Sequence, residues 1–215
     1  MKNLTKKLTV LILSIALILP ALSGKAAPPP PNQKQTMSES AHQLKFNLRR
    51  LWIEHAIWTR SYIVSVEANL EDQKMILARL LKNQDDIGNA IKPFYGEAAG
   101  NKLAQLLREH ILLAGKVVEA AKSNNQTDLQ KYNTAWYKNA DDIAAFLSSA
   151  NPNWKNNVLK QLLHAHLKML TNSVVARLKK DWNGDIRAFD EGEIHVIKIA
   201  DVLSDGIIKQ FPQKF

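Results

Sequence analysis

Hydrophobic residues recur along this chain at alternating steps of three and four, which is the spacing of one face of an α-helix. Three stretches share one plan. Each has two leucines, then a histidine four residues after the second leucine, then an apolar residue three positions on. The central histidines are His55, His110 and His166. The pattern therefore predicts three amphipathic helices, each with a histidine in the middle of its buried face.

Interruptions in the pattern predict six helices. The first begins near a capping box formed by Thr36 and Glu39, and the second ends before Pro93, because the residue preceding proline avoids the α region. Thr127 is a good N-cap for the fourth helix, and Asp185 for the sixth, after Asn183-Gly184 closes the fifth. The six are expected at about 37–68, 70–91, 97–122, 128–148, 153–181 and 186–210.

A longer repeat joins these helices in pairs. The segment 82–87 recurs at 138–143 with five of six residues identical, at an offset of 56, and 51–55 resembles 106–110 at an offset of 55. Either the chain contains duplicated hairpins, or amphipathic helices resemble each other by chance.

A weaker third copy includes His166 and places His195 at the position that Asn83 and Asn139 hold in the other copies. We predict an all-α fold, an antiparallel bundle of about six helices built from three αα-hairpin repeats. The hairpins would span about 37–93, 97–149 and 153–210 of a single domain over 37–211.

The first 26 residues have the pattern of a signal peptide. Lysines precede an apolar run from Leu8 to Leu19, and small residues follow it, so cleavage is expected after Ala26. An uncleaved anchor is the alternative. A proline-rich linker over 27–36 comes next. We expect a secreted or cell wall-associated protein with no membrane span after cleavage.

Composition limits the chemistry. The chain has no cysteine, which excludes disulfides and thiolate ligands. Four lysines would leave with the signal peptide, which reduces the formal charge from +9 to +5. This mild charge suits an anionic cell-envelope polymer. Nucleic-acid binding is not predicted, because the sequence has no basic cluster interleaved with aromatic residues. A second apolar edge on the first helix, at Ile53, Ile57 and Val64, also allows a homo-oligomer.

Histidines from different helices of a bundle can converge on one divalent metal ion. His55, His110, His166 and His195 are the candidate ligands. Glu54 and Glu109 flank two of them and would serve as ligands or as acceptors for an imidazole N–H. A polar seam beside these positions contains Asn83, Asp86, Asn139, Asp142 and Glu191.

The ordinary alternative is that the histidines are hydrogen-bonded residues of the core, equally spaced because the hairpin is duplicated. In a row of stacked hairpins they would be about 10 Å apart, too far to share one ion. Motifs for di-iron proteins, zinc peptidases, phosphate loops and serine hydrolases are absent from the sequence. Trp52, Trp58 and Trp136 would line a pocket for a small apolar ligand or simply fill the core.

Four sequence segments resemble a family of exported helical proteins from Gram-positive spore-formers. They are Glu54-His55 with Trp58-Thr59-Arg60, the run Asn83 to Gly88, the run Pro93 to Gly96, and Gln210 to Pro212. The resemblance covers most of 45–213. It implies export and an all-helical fold, and no catalytic residues. Some members of the family are labelled acetylglutamate kinase, but such kinases are α/β proteins with glycine-rich phosphate loops, and neither feature is present in this sequence.

Two functional hypotheses follow. The first is a non-enzymatic envelope or extracellular protein that binds a metal ion or small ligand through its His-lined core. The second is a metal-dependent enzyme that uses the same histidines, with Glu54 or Glu109 as general base. The absence of recognisable catalytic motifs favours the first.

Overall fold

The computed structural model describes residues 37–215, all of whose regular structure is helical, as expected. The predicted signal peptide at 1–26 and the linker at 27–36 lie outside these residues. The described part contains five α-helices and a short 3-10 helix. They are α1 (Glu39–Ala68), α2 (Gln73–Lys122), α3 (Gln126–Ala150), α4 (Asn156–Leu178), α5 (Trp182–Gln210) and the 3-10 helix Pro212–Lys214.

The helices form a closed ring. Short turns join them, so each packs antiparallel to its neighbours in sequence, and α1 also packs against α5. At this closing contact Arg49 makes two bonds of 2.7 Å to the carboxylate of Asp201, and Lys45 lies 2.8 Å from Asp205. The leucines of all three predicted stripes are buried, which confirms the core-facing side of these helices.

Five helices replace the expected six because α2 joins two of the predicted elements. Pro93 lies inside α2, although the helix was expected to end before it. The interruption is at Gly96, which has φ 83° and ψ 170°. Proline removes one backbone donor, whereas this glycine backbone lies in a region that other residues rarely adopt, so the chain changes direction at Gly96.

The helix caps differ from those predicted. The side chain of Ser38 caps α1 by accepting from the Ala41 N–H. Asn125, rather than Thr127, caps α3. Asp181 caps α5, which contains the Asn183-Gly184 pair expected to close the preceding helix. The caps of α3 and α5 lie two and four residues before the predicted ones, so both helices begin earlier than expected, whereas the cap of α1 lies two residues after Thr36.

Candidate functional site

The histidines predicted to lie on buried faces are all in the core. His55, His110 and His166 are 3%, 5% and 6% exposed. The rings of His55 and His166 have centroids 5.6 Å apart, and those of His166 and His195 lie 6.5 Å apart and nearly parallel. The fold therefore brings side chains from α1, α4 and α5 together at the middle of the bundle.

Both ring nitrogens of His110 have protein partners. The indole N–H of Trp136 donates to His110 Nε2 over 3.0 Å, and His110 Nδ1 lies 2.8 Å from Asn139 Oδ1. Since Nε2 accepts a hydrogen bond, the proton is on Nδ1, which donates to the Asn139 oxygen. The Asn139 amide in turn donates to the carbonyl of Leu106. His110 is thus a neutral, fully hydrogen-bonded core residue.

His55 has an amide neighbour on α2. Its Nδ1 lies 3.3 Å from Gln84 Nε2, which also donates to the carbonyl of Leu80 and to Asn83 Oδ1. The role of Gln84 was not predicted. Its position next to Asn83, on a helix that packs against α1, was the only sequence signal. A single glutamine is as compatible with an exposed position as with a buried one.

Three equivalent hydrogen bonds cross between paired helices. Asn83 donates to the carbonyl of Leu51 over 3.0 Å, and Asn139 donates to that of Leu106 over 3.2 Å. His195 Nε2 donates to the carbonyl of Leu162 over 2.8 Å. In all three, the accepting leucine lies four residues before the stripe histidine. The polar seam positions Asn83 and Asn139 therefore anchor one helix to the next.

Burial keeps the core imidazoles neutral. It is the largest influence on all three, and it lowers the pKa of His55 to about 3, with a further contribution from His110. It lowers the pKa of His110 to about 4, although the hydrogen bond to Asn139 opposes the change. Burial followed by the neighbouring imidazoles sets the pKa of His166 well below its usual value. These histidines are uncharged at neutral pH.

The carboxylates proposed as ligands or partners are elsewhere. Glu54 pairs with Arg50 and Arg79 at the surface. Glu109 and Glu191 are exposed. Asp86 and Asp142 pair with the lysines four residues before them, Lys82 and Lys138.

The geometry does not resemble a metal centre. Within residues 37–215, no three His, Cys, Asp or Glu side chains gather so as to hold an ion. His110 would have to break an internal hydrogen bond to bind one, and His195 already donates through Nε2. Metal binding by these residues therefore remains a prediction, and the contacts around His110 and His195 do not favour it.

A buried ion cluster was not predicted. Asp185 is 1% exposed and receives two 2.9 Å hydrogen bonds from Arg60, one of 3.0 Å from Arg177 and one of 2.7 Å from the Ser173 hydroxyl. Burial raises the pKa of Asp185, but the bonds to these groups, Arg60 first, lower it below its usual value. Asp185 is therefore not the cap that the sequence indicated. It joins α1, α4 and α5 near the turn between α4 and α5.

An apolar cleft of about 500 Å³ opens between the second half of α2, the start of α3 and the end of α4. Its volume falls in the range of known ligand pockets, roughly 300–1,000 Å³. The buried Trp136 contributes to its wall, and Gln130 and Asn133 also border it. The apolar walls come mainly from aliphatic side chains, among them Val117, Val118, Leu129, Leu170, Val174 and Val175.

A second, smaller cavity of about 30 Å³ lies between α1, α4 and α5. His166 and Thr59 both line it. Within residues 37–215, His166 Nδ1 and Thr59 Oγ1 are buried without a hydrogen-bond partner. Thr59 is 6% exposed, so neither atom can be satisfied by bulk solvent.

In the described part of the chain, none of the helices combines the length and apolar character needed to cross a bilayer. The chain matches no known family model, and comparison with curated proteins and with solved structures also found no relative.

Proposed function

We propose that this chain is a secreted or cell-envelope protein, not an enzyme, whose helical bundle binds a small apolar molecule in the cleft between α2, α3 and α4. The cleft itself supports this proposal. Its walls are mainly aliphatic, and its volume of about 500 Å³ suits a ligand of drug size. A neutral molecule with a hydrocarbon or aromatic body matches these walls.

The His110 network supports a preformed cleft. Trp136 forms part of the wall, and its indole N–H is held by His110, which is itself held by Asn139. A wall fixed in this way loses little side-chain entropy when a ligand binds. In this proposal the buried histidines shape the site rather than contact the ligand, so no metal ion is required.

The export component of the proposal depends on the sequence pattern of residues 1–26. Its test is direct. The protein is expressed from its full gene in a Gram-positive host, and the mature N-terminus is determined by mass spectrometry of material from the medium and the cell wall. A chain that begins at Ala27 supports the proposal, whereas an intact Met1 in the cell fraction contradicts it.

The binding component is tested with the fluorescent apolar probe N-phenyl-1-naphthylamine. Val175 and Val158 are both on α4 and both 40% exposed, but only Val175 lines the cleft. We expect saturable binding to the wild type and a Kd at least about tenfold weaker for Val175→Lys, because a lysine ammonium in the cleft costs roughly 1.4 kcal/mol or more. Val158→Lys is the matched control and should bind like the wild type. Absence of saturable binding, or equal loss in both variants, would contradict the proposal.

We also infer that the bundle consists of three copies of one hairpin, with α2 contributing a helix to each of the first two. The three cross-helix bonds to Leu51, Leu106 and Leu162 support this interpretation, because each has the same register relative to a stripe histidine. The third copy uses an imidazole where the others use an amide.

A further inference from the structure

The surroundings of His110 and His166 differ at two equivalent positions, because His195 replaces Asn139 and Gly192 replaces Trp136. Trp136 precedes Asn139 by three residues, and its indole N–H satisfies His110 Nε2. Three residues before His195, the corresponding residue is Gly192. Asn139 and His195 make the same carbonyl contact, which fixes this correspondence by geometry as well as by sequence.

Gly192 leaves space where a large side chain stands beside His110. No atom lies within 4 Å of the position a Cβ would take at Gly192. Gly192 lines the cavity of about 30 Å³, together with His166 and Thr59. A water molecule needs roughly 10–15 Å³ of volume measured in this way, so the cavity has room for one.

Within the described part of the chain, two of the residues that line this space contain a buried polar atom without a partner. His166 Nδ1 and Thr59 Oγ1 have no hydrogen-bond partner within residues 37–215. A buried polar atom without a partner is costly, and a bridging molecule that donates to one atom and accepts from the other removes the cost for both. Three other polar residues line the cavity, Arg60, Ser173 and Glu193. Arg60 and Ser173 already donate to Asp185.

We propose that this cavity is a binding site for a single water molecule that bridges His166 Nδ1 and Thr59 Oγ1, and so supplies the hydrogen bond that Asn139 supplies to His110 Nδ1. The site is separate from the apolar cleft, with which it shares only Leu170 as a lining residue. Its existence does not depend on the proposed ligand. If the probe does not bind in the cleft, the water site is unaffected. If the water is absent, the proposal of ligand binding in the cleft is unaffected.

A crystal structure at about 1.5 Å resolution tests the proposal directly. We expect one water-sized peak within about 3.2 Å of both His166 Nδ1 and Thr59 Oγ1. An empty cavity, a Thr59 hydroxyl bonded to the His55 carbonyl, or density larger than a water molecule would each overturn the proposal. His110 is the internal control, since its two nitrogens already have protein partners and no water is expected on its ring.

Variants at Thr59 add a readout in solution. Thr59→Val keeps the shape but removes the hydroxyl, so the bridging water loses a partner, and the unfolding equilibrium constant should rise about tenfold. Thr59→Ser keeps the hydroxyl and should retain the water peak. Thr134→Val, at an exposed threonine that bonds to Gln130 in its own helix, is the matched control and should have a smaller effect. A water peak of unchanged occupancy in the crystal structure of Thr59→Val would contradict the bridging role of Thr59.

Discussion

His195 donates through Nε2 to the backbone carbonyl of Leu162, over a distance of 2.8 Å. Asn139 makes the equivalent contact to Leu106 with its side-chain amide. We therefore expect His195→Asn to retain most of the stability, whereas His195→Ala should lose about 1 kcal/mol from the missing hydrogen bond, in addition to any lost packing. Urea unfolding of both variants measures the difference. Equal loss in both would show that the imidazole ring, rather than its hydrogen bond, is what matters.

Acid should destabilise the protein through its core histidines. Burial lowers the pKa of His110 to about 4 in the folded state, below the usual value of 6.5. The unfolded chain therefore binds the proton first. Stability from this group is complete above about pH 6.5 and is lost as the pH falls towards 4, by about 3 kcal/mol in total. His55, with a pKa lowered to about 3, adds to the loss over the same range and below it.

Urea midpoints measured between pH 7 and pH 4.5 test this dependence. His110→Gln should be less stable at pH 7 but should lose less stability on acidification, because it lacks one of the groups that titrate. Val158→Gln, at an exposed position on α4 without a titratable group, serves as control and should keep the wild-type slope. A slope unchanged in His110→Gln would mean that His110 does not contribute.

The buried carboxylate of Asp185 should be far more important for stability than a comparable surface pair. Asp185→Asn leaves Arg60 and Arg177 without a full counter-charge in a largely buried cluster, so we expect a loss of about 3–5 kcal/mol. The control is Asp201→Asn, which removes a two-bond pair with Arg49 at the surface and should cost about 1 kcal/mol or less. Thermal unfolding at pH 7 provides the comparison, and similar losses would refute the assignment of Asp185 as an internal anchor.

Replacing two glycines with open surroundings by alanine should change the free energy of unfolding in opposite directions. No atom would touch a Cβ added at Gly96 or at Gly192, so only the backbone conformation distinguishes them. Gly96→Ala should cost about 1–3 kcal/mol, because its φ of 83° strains any other residue. Gly192→Ala lies within α5 and should gain up to about 1 kcal/mol from helix propensity. Chemical denaturation of both variants decides, and a stabilised Gly96→Ala would contradict the strained geometry.

The periodic part of the structure was predictable, because burial of an apolar stripe has a local signal. The three histidines and their leucines are buried as the three- and four-residue spacing predicts. The role of Asp86 was ambiguous, since a residue beside the stripe can face a neighbouring helix or the solvent. In the structure Asp86 faces the surface, where it pairs with Lys82 four residues before it.

Contacts between distant segments left no such signal. Arg60 and Asp185 are separated by 125 residues, and each also has an ordinary local interpretation, as a surface cation and a helix cap. Only the ring of helices brings them together. The same limit applies to the His166 cavity, where the absent side chain of Gly192 matters as much as the residues that are present.

The closing contact between α1 and α5 has a consequence for how the chain folds. The other helix pairs with extensive contacts are neighbours in sequence and can form through short loops, whereas Arg49 and Asp201 are 152 residues apart. Closing so long a loop has a high entropic cost, and contacts of this kind slow folding. We therefore expect the hairpins to form early and the junction of α1 with α5 to form last, so that substitutions at this junction mainly accelerate unfolding and leave the folding rate nearly unchanged.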